Sequence, residues 1–106
     1  MPEAQHLIMR IHGDLGDNAY ILDAFTGCLA YARASVLRIE SHLFVPQGLT
    51  AIALLTESHA SIHTYPELEM AYVDYFSCSV KPRMDDFINM WKDFGFDVTD
   101  KKIQHR

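Results

Sequence analysis

Cysteine is nearly absent from this 106-residue chain, with Cys28 and Cys78 the only two. Two thiols cannot build the disulfide framework that holds small secreted domains together. The chain therefore has to rely on an ordinary core, and the expected compartment is the reducing cytoplasm. Runs of lysine or arginine are missing as well. Nine basic residues stand against fourteen acidic ones, for a formal net charge of −5. A surface that tracks a nucleic-acid backbone needs clustered positive charge, so nucleic acid is not an expected partner. No apolar run approaches the ~20 residues that cross a bilayer, and no secretion leader is visible, so no membrane role is expected either. Internal repeats, low-complexity tracts and linkers are absent too.

What the chain does have is enough apolar material for one core. Apolar residues make up 49% and aromatics 11%, and the length is close to the commonest domain size, so residues 1–106 read as a single domain. A domain this small does not easily enclose a deep pocket, which favours a ligand site shared between two copies. The acidic balance suits a cationic ligand, although solubility alone is a sufficient use for it.

Residues 5–12 are apolar and partly β-branched and end at Gly13, the pattern of a first strand flanked by the surface or strand-end histidines His6 and His12. Asp17 or Asn18 can cap a helix over 19–33, in which Ile21, Leu22, Phe25, Leu29 and Ala32 recur every three or four residues. Cys28 falls within it as a small core residue, and Gly27 weakens it without ending it. Residues 35–44 alternate as a strand with one wet face. Pro46-Gln47-Gly48 is a turn, and 49–56 form a nearly continuous apolar strand. Residues 61–64 are extended, Pro66 interrupts, and 70–78 form another strand with Met70, Tyr72, Asp74, Phe76 and Cys78 on one face. Pro82 opens a second helix with the stripe Met84, Phe87, Ile88, Trp91 and Phe94, and 96–103 form a last strand. The order strand, helix, four strands, helix, strand predicts an α+β fold: an antiparallel sheet with two helices on one face.

The chemistry is concentrated in Glu57-Ser58-His59-Ala60-Ser61-Ile62-His63-Thr64-Tyr65-Pro66-Glu67, followed by Cys78. Two histidines, two carboxylates, several hydroxyls and a thiol sit between apolar strands that can fix their geometry. His59 and His63 are an even distance apart, on one face of an extended chain, so with Glu57 or Glu67 they could ligate zinc. No firm third ligand stands at a usual spacing, and the preferred reading takes no metal.

This stretch, with Phe44-Val45-Pro46-Gln47-Gly48 before it and Val73-Asp74 after it, resembles the small prokaryotic type of S-adenosylmethionine decarboxylase, a pyruvoyl-dependent family of polyamine (spermidine) synthesis. The resemblance runs from about residue 6 to the C-terminus. It implies a proenzyme that cuts itself at Glu57-Ser58 into a 1–57 β chain and a 58–106 α chain, converting Ser58 into a covalent pyruvoyl group. Decarboxylating an α-amino acid leaves electrons at Cα that no ordinary side chain can hold. A ketone that condenses with the substrate amine as a Schiff base provides the sink.

By the same resemblance, His63 is the base that assists processing and Cys78 the proton donor to the decarboxylated carbon. Thr50 stands where the family commonly has a processing serine. Glu67 would bind ribose hydroxyls and Phe44 would stack on adenine, although as a strand-end residue Phe44 also reads as core. The expected assembly is a homodimer, an αββα sandwich with active sites at the interface. The sequence departs from the family at Tyr65 (usually Trp), at Ser79 (usually Gly) and across Glu69-Met70-Ala71-Tyr72. These changes leave the self-cleavage residues intact and bear on the substrate, so arginine or ornithine is an alternative. A regulatory subunit of the same fold that never cleaves is another.

Overall fold

The computed structural model describes residues 4–79 and 81–106. Eight main elements follow the expected order: β1 (Gln5–His12), α1 (Asn18–Tyr31), β2 (Val36–Leu43), β3 (Leu49–Leu55), β4 (Ser58–Tyr65), β5 (Met70–Ser77), α2 (Met84–Asp93) and β6 (Asp97–His105). A 3₁₀ turn, Pro66–Leu68, separates β4 from β5. The six strands form one sheet in the order β2-β3-β4-β5-β1-β6, with every neighbouring pair antiparallel.

Burial alternates residue by residue along the central strands. Leu7, Met9 and Ile11 of β1, Ala51 and Ala53 of β3, Ala60 and Ile62 of β4, and Ala71, Val73 and Tyr75 of β5 are buried on one face. Both helices cover that face, α1 with Ile21, Phe25, Cys28 and Leu29 and α2 with Phe87, Ile88 and Trp91. Small alanines on the strands make room for the large helical side chains. The Asp17 side chain caps α1 by accepting the Tyr20 N–H. Gly27 has a packing reason: a Cβ there would come within 2.9 Å of the Phe94 ring, so glycine lets the end of α2 close onto α1.

One local expectation is corrected, and one strand shows a further feature. β2 is wet on both faces, with only Ile39 half-buried, because it is an edge strand that α1 touches only lightly. β3 is apolar apart from Thr50 yet buried on one side only: Ile52 and Leu54 remain about half exposed, at 53% and 54%. They lie on the sheet face without helices, which also carries Ile8 and Tyr72, each 45% exposed, beyond the intervening β4. That face mixes these apolar side chains with His59, Ser61, His63 and Asp74 of the central strands and belongs to no core within the chain.

Candidate active site

β3 and β4 are joined by a two-residue turn, Thr56-Glu57, closed by the cross-strand pair Leu55–Ser58. Glu57 adopts φ 63°, the left-handed region that a residue with a Cβ occupies at a cost of about 1–2 kcal/mol. The strained residue is the one whose carbonyl precedes Ser58. The Ser58 hydroxyl oxygen accepts the backbone N–H of Cys78 at 3.2 Å, which places the start of β4 against the residue that follows β5. Ser58 and Cys78 are both half-buried. Beneath them lies a cavity of about 370 Å³ lined by hydroxyls and by Arg33, Lys81 and Arg83.

A second group gathers at the opposite end of the same hairpin. Thr50 and His63 are direct cross-strand partners, and the Thr50 hydroxyl lies 3.2 Å from His63 Nδ1 in hydrogen-bond contact. Gln47 Nε2 donates to Glu67 Oε2 at 3.3 Å, and the Leu49 N–H donates to Thr64 Oγ1 at 2.8 Å, which ties the turn after β2 to β4. Phe44, Thr50, His63 and Glu67 together line a cavity of about 250 Å³ with Gln47 and Tyr65. Phe44 is 50% exposed and meets His42 edge-on at 4.6 Å. It is therefore not a core aromatic, and its ring is open to a flat partner.

The two groups do not meet within one chain. Ser58 and His63 are five residues apart on one strand, which at ~3.3 Å per residue is roughly 16 Å, and an odd separation puts them on opposite faces. Ser58 shares its face with buried Ala60 and Ile62, whereas His63 is on the open face. The zinc arrangement also fails geometrically. His59 and His63 share a face but lie about 13 Å apart along the strand, beyond the reach of two imidazoles toward one ion. His59 instead sits with His6 and Asp74, a grouping outside the reach of sequence periodicity because strand register alone sets β5 beside β4 and β1 beyond it. Cys28, by contrast, is fully buried in α1. Burial first, then the nearby Asp93 carboxylate, pushes its thiol well above the ordinary 9.0, which makes it an inert packing group.

Residues 5–104 match the family model described as S-adenosylmethionine decarboxylase. A protein named S-adenosylmethionine decarboxylase proenzyme from Prochlorococcus marinus (strain MIT 9313) is 42% identical over 78 residues, which is 70% of this chain and 62% of that protein. The proenzyme of that name from Methanococcus aeolicus is 36% identical over 110 residues, covering 92% of this chain and 91% of its own. The crystal structure of the adenosylmethionine decarboxylase from Aquifex aeolicus VF5 superposes with a TM-score of 0.77 at 26% identity, over 99% of this chain and 91% of that one. This chain spans about three fifths of the first of these relatives and nearly all of the second. With its strained Glu57-Ser58 turn, its Ser58–Cys78 contact and its antiparallel α+β layers, the chain belongs to the S-adenosylmethionine decarboxylase family.

Proposed function

We propose that the chain decarboxylates S-adenosylmethionine after cutting itself at Glu57-Ser58, and that it does so as a pair of copies. The observation that carries this reading is the division of the motif into two half-sites at opposite ends of the β3–β4 hairpin: Ser58 with Cys78, and Phe44, Thr50, His63 and Glu67 around one cavity. Each half lacks what the other holds. Two sheets packed through their open, partly apolar faces in opposite directions, an αββα sandwich, would set the Ser58 end of one copy over the His63 end of the other. The exposed Ile8, Ile52, Leu54 and Tyr72 give that packing its apolar contact.

Processing starts at Ser58. Its hydroxyl oxygen is held by the Cys78 N–H and adjoins a carbonyl whose residue is strained, so attack on the Glu57 carbonyl carbon relieves the turn. The amide nitrogen leaves as an amine and the Glu57 acyl group moves to oxygen as an ester. His63 of the opposite copy, oriented by Thr50, removes the Ser58 Cα proton. The Cβ–O bond then breaks, residues 1–57 depart as a carboxylate, and water converts the remaining dehydroalanine to a pyruvoyl group with loss of ammonia. The residues present fit this group: residue 58 would be a chain end freed from the turn, with Cys78 beside it.

That group supplies the electron sink for the carbon that loses carbon dioxide. The chain's own residues do the rest. Phe44 offers its exposed ring to an adenine, Glu67 accepts from ribose hydroxyls with its carboxylate steadied by Gln47, and the Cys78 thiol returns a proton to the substrate Cα. The relatives are named for S-adenosylmethionine, which lends no support to arginine or ornithine. Among the described residues no helix is long and apolar enough to cross a membrane, and a cytoplasmic location is part of this proposal.

The test is the denatured mass of purified protein, read beside release of labelled carbon dioxide from S-adenosylmethionine, arginine and ornithine. Two fragments split at Glu57-Ser58, the second lacking the elements of ammonia, together with release from S-adenosylmethionine alone, are expected. A chain that stays whole, or release from another amino acid instead, overturns the reading.

A further inference from the structure

We propose that His6, His59 and Asp74 form a binding site for one divalent transition-metal ion of the zinc class, at the middle of the open sheet face. The site borders both half-sites, with His59 following Ser58 in the chain and His63 lining the same cavity as His6 and Asp74, but it does not depend on the decarboxylase reading. Strand register builds it. His6 on β1 and His59 on β4 are both cross-strand partners of Phe76 on β5, and Asp74 lies two residues earlier on the same face of β5. Three adjacent strands thus deliver one donor each. His6 Nε2 lies 2.7 Å from Asp74 Oδ2, and one donor atom from each of the three residues falls within 4.8 Å of the others. Donors around a tetrahedral zinc ion stand about 3.3 Å apart, so small side-chain rotations close the set.

The donor types and their supports agree with this assignment. Two imidazoles and a carboxylate suit zinc, cobalt and nickel better than calcium or magnesium, which prefer oxygen alone. The second oxygen of Asp74 accepts a hydrogen bond from the Ser61 hydroxyl, which turns the first toward the histidines. Phe76 fixes both rings: His59 stacks on it at 5.3 Å and 22°, and His6 meets it edge-on at 5.7 Å and 90°. Outer contacts of this kind orient metal ligands and are often needed for affinity. The side chains of His6 and Asp74 retain only 20% and 25% of their exposure. A simple His6–Asp74 pair would use two of these residues and leave His59 unexplained, although its ring centre lies 6.0 Å from that of His6. Three protein donors leave a fourth position for water or for a group on a partner surface.

Full-length protein stripped with a chelator is dialysed against zinc, and bound metal is counted by elemental analysis; cobalt serves as a visible probe. About one ion per chain is expected, with a cobalt spectrum of four-coordinate nitrogen and oxygen ligation. In the unaltered protein the imidazole resonances of His6 and His59 should shift together on adding zinc, while those of His12, His42, His63 and His105 stay. His6→Ala and Asp74→Asn should each weaken binding tenfold or more and His12→Ala should not. No ion retained, resonance shifts at His63 in place of His6 and His59, or equal binding by the His6→Ala and Asp74→Asn proteins would overturn the site. The resonance and cobalt measurements need no variant, so a misfolded substitution cannot decide the outcome.

Discussion

If the two half-sites are completed only across copies, variants damaged in opposite halves should rescue each other. A Ser58→Ala chain cannot cut itself but still carries Thr50 and His63; a His63→Ala chain keeps Ser58 and Cys78 but has no base. Along β4 the two positions are roughly 16 Å apart and on opposite faces, against the ~3 Å that proton transfer requires, so neither chain can use its own His63 on its own Ser58. Alone, Ser58→Ala should remain whole, and His63→Ala should cut itself slower by roughly 10²- to 10⁴-fold, the usual worth of a positioned base. Expressed together in equal amounts, half the pairs are mixed, and each mixed pair contains one intact site and one doubly damaged site. About a quarter of all chains should then be cut, with decarboxylation near a quarter of the unaltered level, as a two-fold interface requires. The readouts are denatured mass and carbon dioxide release on the co-purified mixture. A mixture as inactive as its components, or a His63→Ala chain that cuts itself at full speed, would refute the geometry.

Three further outcomes follow from the fold. Glu57→Gly, made in a Ser58→Ala chain so that it stays whole, should raise stability by a few tenths to about 1 kcal/mol in urea unfolding, because glycine adopts φ 63° without strain; a loss of stability would mean that the turn is unstrained. Phe25→Ala, at a fully buried position beneath the sheet, should cost about 3–5 kcal/mol with an unchanged dependence on denaturant. Burial raises the Cys28 thiol above 9.0 and the Tyr75 phenol above 10.0. The folded state therefore holds protons that the unfolded chain has released, and stability should fall as pH climbs past 9, by about 1.4 kcal/mol per pH unit for one such group. Cys28→Ala should remove the first part of that alkaline decline, and a flat urea midpoint from pH 8 to 10 would contradict the assignment.

The helices and their buried stripes were legible because a 3.6-residue repeat of large apolar residues has only one use in a domain this size. Ile21, Phe25 and Leu29, and Phe87, Ile88 and Trp91, all point inward. The apolar run of β3 did not say which of its faces is open: Ile52 and Leu54 resemble core residues in sequence yet cover the face without helices, because an interface between copies and a core use the same residue types. The edge position of β2 was hidden for a related reason, because alternation does not say whether a second layer extends that far. The family resemblance of local motifs singled out Ser58, Cys78, Thr50 and His63 as candidates, and the odd spacing of Ser58 and His63 already implied opposite faces. What no periodicity carries is register. The meeting of His6 with Asp74 and His59 arises from β1 pairing beside β5, across 68 residues of chain.

The strand order has a mechanical consequence. A break after Glu57 would divide the chain into one piece holding β1, α1, β2 and β3 and another holding β4, β5, α2 and β6, yet β1 lies sandwiched between β5 and β6. The pieces would be laced through one another by hydrogen-bond ladders at three seams, β3–β4, β5–β1 and β1–β6. Neither could slide away without unravelling the sheet, so a nicked molecule should migrate, melt and bind as one body until a denaturant separates it.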